Sequence, residues 1–553
     1  MTTGFDFSPG AQVPRTDVPS QLGVTNALAT GAYRDGPADD LTALRPDVEQ
    51  KHRPRRGIFA PNFGEAFSRA VLARTLGSGR APLVPSFGTD PRIVVEHCLE
   101  AEQLRRDRDR RLTAVTAVAG LLFLPGTLLW LLAFQLRALV SRGERGAARE
   151  NFYGGLAFLI IAVLAAYLAY SPPASGFWGF YLRIVLLVPI AGWYWARRIC
   201  IRSTDELRAR WSALLEGGGA VVGPTVPSAV PRGPEDTKRE QLRTQLAGLL
   251  SEQETNVLHY AGRKGVLGLG ARWGVWQLAE ELRPAEGQSE FHPFRAWDVV
   301  RRIEDRLKTL NRGAVTDAGI PHPLTHHWVV LPVDEGADSI GRPAGPEMDG
   351  PRMRPFNIEQ TCNAQRFGLG PRHYLSVQFV LWEGQLVVTL MITVTLLHNT
   401  LRLEVTGHAL GPVDKQFMGK PKPRTETVAK TGKFWEQRTR QLPLLTNDEV
   451  VRLTVRAPFT WSPGLLDWLG GRVTLPEPFG LRYAWVSRPW THRFMADDAI
   501  RVATPVLRAV HSAAIEYLAE QGVDLTRFDA RSLMLSNEVQ SAKPGRADVY
   551  DAD

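Results

Sequence analysis

Cysteine is scarce in this 553-residue chain: Cys98, Cys200 and Cys362 are the only three, far apart and odd in number. That excludes a disulfide framework and a clustered cysteine metal site, and it suits a reducing compartment with each thiol as a buried apolar residue. Lysine is scarce too. Most of the 66 basic residues are arginine, and the net charge of +9 suits nucleic acid or an anionic surface without choosing between them. Met1 opens onto Thr, Asp, Pro and Gly, without the basic start, apolar stretch and small-residue cleavage site of a secretory leader, so export of the N-terminal region is not expected. No His-Glu-x-x-His, Gly-x-Ser-x-Gly or Cys-x-x-Cys motif occurs. Zinc-protease, nucleophile-elbow hydrolase and dithiol redox readings therefore have no motif to stand on. Sites assembled from residues distant in sequence are invisible to such a search.

Charge is missing altogether from 112–136 and 151–182. A bilayer core needs about 20 apolar residues as a helix, and Phe177 to Ala196 meets this with one charge, Arg183, near an end where it can snorkel. Trp178 at one end and Trp193 and Trp195 at the other form the aromatic belts expected at interfaces. A second span is expected over 152–170, joined to the first by a turn holding Pro172 and Pro173. The segment 112–140 carries Pro125 and Gly126 near its middle, which suits either a kinked third span or a re-entrant hairpin. Arginines crowd the flanks before 112, between 137 and 149, and after 196, and none lies in the turn at 171–176. The positive-inside tendency then favours the hairpin. The expected fold class is thus a membrane α-helical anchor, two spans plus a Pro-Gly hairpin or third span, with a soluble α+β domain. The expected location is the cytoplasmic (inner) membrane, multi-pass, with the C-terminal domain in the cytoplasm and Pro125, Gly126, Trp178, Arg183, Trp193 and Trp195 as anchoring residues.

Around that region, composition divides the rest of the chain. Residues 1–57 are rich in Pro, Gly, Asp and Thr without periodicity and read as disordered. Short amphipathic helices are expected over 58–111, and a juxtamembrane helix followed by a Gly/Pro linker over 197–234. The α+β domain is assigned to 235–522 and a polar tail to 523–553. Its clearest element is an antiparallel meander. Leu386, Val388, Leu390, Ile392, Val394 and Leu396 alternate with Thr389, Thr393 and Thr395, a period of two, and Leu401, Leu403 and Val405 oppose Arg402, Glu404 and Thr406 in the next strand. Helix is expected at Asp497 to Glu520.

Two stretches resemble sites. Gly265, Gly268 and Gly270 have a spacing reversed from the dinucleotide fingerprint and read as a turn that lets backbones approach closely. His322, His326 and His327 cluster, but adjacent histidines on a strand point to opposite faces, which argues against a three-ligand metal site. No cofactor, metal ligand or catalytic residue is therefore assigned. Two interaction stretches stand out instead. Lys420, Lys422, Arg424, Lys430 and Lys433 lie in a basic, Pro-broken run suited to anionic lipid or an acidic partner; nucleic acid is not expected, since no binding module accompanies the charge. Trp461, Trp468, Trp485 and Trp490 lie among arginines, a composition of interfaces as well as cores.

The string Asn256-Val-Leu-His-Tyr260-Ala-Gly262, then Gly268-Leu-Gly270, Trp276, and Tyr374-Leu-Ser-Val-Gln378 with the meander resembles uncharacterised bacterial membrane proteins of actinobacterial type with a C-terminal cytoplasmic α+β domain. The resemblance covers about half the chain and implies the domain boundary but no activity. The function expected from all this is a non-enzymatic, membrane-anchored docking or scaffold protein that recruits a cytoplasmic protein partner or a large assembly, such as a secretion or contractile injection machine. The alternatives are a membrane-perturbing oligomeric effector or pore, and a membrane-tethered enzyme with an unrecognised site.

Overall fold

The computed structural model describes residues 22–38, 59–121, 175–216, 237–310, 321–333, 340–421, 425–441 and 444–531 apart from single residues or pairs. It also describes a short strand at 49–51 and scattered positions between 124 and 171. The helices are α1 (Leu22–Thr30), α2 (Phe63–Thr75), α3 (Pro91–Val115), α4 (Phe177–Ile184), α5 (Leu187–Leu215) and α6 (Thr237–Gln253), then α7 (Ala296–Leu310), α8 (Pro355–Ala364), α9 (Asn447–Arg456), α10 (Pro463–Gly470) and α11 (Arg493–Glu520). Six strands build the main sheet: β1 (Val257–Tyr260), β2 (Ala271–Glu281), β3 (Leu324–Pro332), β4 (Arg372–Leu381), β5 (Leu386–Leu397) and β6 (Thr400–Leu410).

Alternation along β5 decides what the sheet buries. Leu386, Val388, Leu390, Ile392 and Val394 share one core with Leu375, Val377 and Phe379 of β4 and with Leu401, Leu403 and Val405 of β6. Helices α7 and α11 cover that face because each carries one apolar stripe, Val299, Val300, Ile303 and Leu307 on α7 and Val502, Val506, Leu507 and Val510 on α11. The opposite face carries Ser376, Gln378, Thr389, Thr406 and His408, and Gln378 donates to Thr389 Oγ1 at 3.1 Å. Strand order is β1-β3-β4-β5-β6-β2. The chain therefore leaves β1 at one edge, reaches β2 at the other, and returns through α7 to β3, which pairs with β1 in parallel while every other pairing is antiparallel.

A helical layer packs beside the sheet. Residues of α1, α2, α3, α5 and α6 share a core with Val413, Phe417, Phe479, Leu481 and Trp485. Asp90 caps α3 by accepting from Arg92 N at 2.9 Å with Pro91 at the first helical position, and Thr446 caps α9 by accepting from Glu449 N. Ions are buried here. Arg456 donates two bonds to Glu65, at 2.5 and 2.6 Å. Although burial pushes the Glu65 carboxyl up, Arg456 and Arg69 hold it below the usual carboxylate range. Residues 22–33, from the stretch read as disordered, form α1 and a following turn with Val24, Leu28 and Tyr33 buried; Tyr33 donates to Glu100 Oε2 at 2.7 Å. Val523 and Phe528, from the stretch read as a polar tail, lie in the sheet core.

The membrane anchor must be corrected. Among the described residues no helix is long and apolar enough to cross a membrane, which overturns the expected anchor fold class, its transmembrane spans and the multi-pass location. The observed class is an α+β fold with a mixed sheet. Helix α3 runs without a break from Arg105, Arg108 and Asp109, all buried in protein, into Leu112 and Val115. The expected span 177–196 is α4 and the first ten residues of α5, and α5 continues through Arg197, Arg198, Arg202 and Asp205. Its Ala196 and Cys200 pack on Leu112, Val450, Leu453 and Ala457, so protein side chains meet these apolar groups. Of the anchoring residues, Gly126 is buried, Trp193 is half-buried with the Arg197 guanidinium 5.5 Å from its ring, and Trp178, Arg183 and Trp195 are exposed. Pro125, the greater part of 129–158 and most of 152–170 lie outside the described residues.

Candidate functional site

The four tryptophans separate by environment. Trp485 lies in the helical layer with its ring 5.7 Å from Phe67 and 5.5 Å from Phe417, and Trp490 lies 6.2 Å from Trp273 in the sheet core. Trp461 and Trp468 are exposed, beside and within α10. Lys420 is exposed; Lys430 and Lys433 belong to an antiparallel hairpin over 425–441, and Lys422 and Arg424 lie outside the described residues. The glycine run makes a close crossing. Gly268 has φ +91° with Pro85 O 3.0 Å from where a Cβ would stand, and Gly270 has φ +80° with Ala409 O 2.2 Å from that position.

Histidines 326 and 327 do take opposite faces of the sheet. His326 lies against Trp328, whereas His327 lies against Trp297 of α7 and stacks on His373 of β4, with ring centroids 5.2 Å apart. His327 Nδ1 is 3.0 Å from His373 Nε2, and His327 Nε2 is 3.3 Å from Glu304 Oε2 on α7. A carboxylate accepts only, so a neutral His327 donates through Nε2 to Glu304 and accepts at Nδ1 from the Nε2–H of His373. His373 Nδ1 is then a bare lone pair, buried and without a partner among the described residues. The hydrogen bond from His327 brings the Glu304 carboxyl down to about 2 against its burial, and Lys308 Nζ lies 2.8 Å from its other oxygen. Burial, and then the neighbouring His327, bring His373 down to about 3. This row of groups can relay a proton between solvent and the sheet interior. Nothing near His327 in the sequence signals it, because register delivers His373 from 46 residues away and helix packing delivers Glu304. Among the described residues no group of three or more His, Cys, Asp or Glu could hold a metal ion.

One end of the sheet presents apolar side chains to solvent. Tyr260 stands opposite Pro332, Val330 opposite Arg372 and Leu397 opposite Thr400, so the ends of β1, β3 and β5 and the start of β4 lie together. The loop into β4 projects there. Phe367 and Leu369 are 81% and 80% exposed, on either side of Gly368 at φ +73°. Leu397 and Tyr260 add exposed apolar surface, and Arg366 and Arg372 flank the loop. Its base is fixed: Gln365 ends α8 in the left-handed region and accepts through Oε1 from Leu396 N at 2.9 Å. Burying a side chain of this kind is worth about 1.5–3 kcal/mol, so contiguous exposed ones mark an interaction surface.

No curated protein and no solved structure matches this chain. A family model matches part of it: residues 275–546, from within β2 through the histidine row, the exposed loop and α11, are similar to an AbeC-like domain.

Proposed function

We propose that the chain is a non-enzymatic docking or scaffold protein whose AbeC-like domain receives a protein partner, or a large assembly, at the loop end of its sheet. The observation that carries this reading is the exposure of Phe367 and Leu369 on a loop whose base is hydrogen-bonded to β5. Two apolar anchors with arginines at the rim match the anatomy of a hot spot, an apolar centre ringed by polar contact. A partner would offer an apolar cleft with acidic margins. Cross-linking and co-purification from the source cells is the test. The wild-type chain should retain a stoichiometric partner that the double variant Phe367→Ser/Leu369→Ser loses, with no change in melting temperature. Retention of the same partner by the double variant sinks the reading.

The Glu304, His327 and His373 row favours a second reading, an enzyme that moves a proton. It predicts that a metabolite extract incubated with wild-type protein changes in composition and that His327→Gln abolishes the change. Docking predicts identical extracts.

A further inference from the structure

The two edges of the main sheet are unequal. Strand β1 is four residues long, while β2 is eleven and carries neither proline nor lysine. Apart from its ladder to β6, no backbone hydrogen bond involves residues 271–281 among the described residues. Long open edges recruit further strands, and natural proteins blunt them with charge, proline, bulges or short length. The devices inside β2 are a bulge near its start, where the register shifts between Arg272 and Gly274, and charges confined to its two ends at Arg272, Glu280 and Glu281.

Charge along β2 points to its occupant. Arg272 opens the strand and Glu281 closes it, both on the sheet face opposite α7 and α11, since they pair with His408 and Thr400, which share that face. Arg272 is exposed and meets no carboxylate among the described residues; Glu281 is exposed, pairs with its near neighbour Arg283 at 2.7 Å, and also feels the charge of Arg527 and His398. In an antiparallel pairing of two copies about Gln277, Trp276 of each stands opposite Leu278 of the other and Val275 opposite Ala279. The extra residue of the bulge then sets Arg272 opposite Glu281 on the same face, twice by symmetry. Core-side residues meet core-side residues throughout.

We propose that β2 is a homodimerisation edge, at which two copies pair antiparallel about Gln277 and join their six-stranded sheets into one. The interface is isologous and closed, so it caps the open edge rather than propagating it. Arg272 and Glu281 set the register as cross-strand ion pairs. The proposal is independent of the docking surface, which lies on the loops at the sheet's end.

Sedimentation equilibrium of the full-length chain tests it. The wild-type chain should be a dimer at micromolar concentration. Arg272→Glu, at an exposed position, should raise the dissociation constant at least tenfold with an unchanged circular dichroism spectrum, and the exchange Arg272→Glu/Glu281→Arg should recover most of that loss. Gln277→Pro should leave only monomer. A wild-type monomer up to 100-fold higher concentration overturns the proposal. So does a dimer indifferent to Arg272→Glu, or a double variant as weak as the single one.

Discussion

At the scale of single residues, the fold rests on charges placed where water is excluded. Arg482 is wholly buried and has no carboxylate partner among the described residues; its guanidinium donates to the carbonyls of Phe87, Gly88, Gln385, Leu410 and Gly411 at 3.0–3.5 Å. Burial brings it down to about 9. It ties the segment before α3, the β4–β5 turn and the end of β6 to one point. Arg482→Met removes the donors and strands those carbonyls, so a loss of about 3 kcal/mol or more is expected in urea unfolding at pH 7. The Glu65 and Arg456 pair behaves alike. Glu65→Ala leaves a buried cation unpaired and should cost about 3–5 kcal/mol, whereas an exposed pair such as Arg302 with Glu520 should cost less than about 1 kcal/mol when broken. His511 is the reverse case. It is buried in α11 with neither ring nitrogen bonded among the described residues, so His511→Leu should raise stability by up to about 1–2 kcal/mol, and the melting temperature with it.

At the scale of elements, pattern and outcome can be compared directly. The period of two along β5 and β6 is visible in the sequence because one face of each strand meets only apolar partners. Trp485 and Trp490 show the opposite situation. Composition groups them with Trp461 and Trp468, and only packing sends two into separate cores and leaves two at the surface. The exposed loop gave no signal either, since Phe367 and Leu369 sit among glycines and a proline as any turn residue would. Gly270 carries a testable consequence of element packing. A side chain there meets the Ala409 carbonyl and an unfavourable φ, so Gly270→Val should displace the start of β2 from β6 and destabilise the chain by about 2 kcal/mol or more, with amide exchange rising first along β2.

At the scale of the whole molecule, acid should loosen the fold. Burial brings His259, His408 and His511 to about 4 and His373 to about 3. An unfolded histidine titrates near 6.5, so between about pH 4 and 6.5 the unfolded chain binds more protons than the folded one and stability rises with pH. The melting temperature should therefore be lower at pH 5 than at pH 7, and His511→Leu should flatten that dependence; a higher value at pH 5 would contradict the assignment of four neutral histidines, three of them buried and His259 half-buried. The apolar runs between 112 and 196 make the same point about scale. Hydropathy reports how strongly a segment avoids water, and lipid and protein interior satisfy that avoidance equally. Where these runs are described, Leu112 and Ala196 meet Val450, Leu453 and Ala457 from a remote part of the chain, while Val118, Leu121, Leu159, Phe177 and Trp178 stay exposed. The sequence by itself determined the local matters: the alternating strands, the helix over Asp497 to Glu520, and the glycines that allow a close crossing. Only the tertiary structure decided which apolar face meets which, how Glu304, His327 and His373 come into line, and where Phe367 and Leu369 are left open. The physical reason is that propensity and periodicity act over one or two turns of chain, while packing and strand register join residues whose separation carries no pattern.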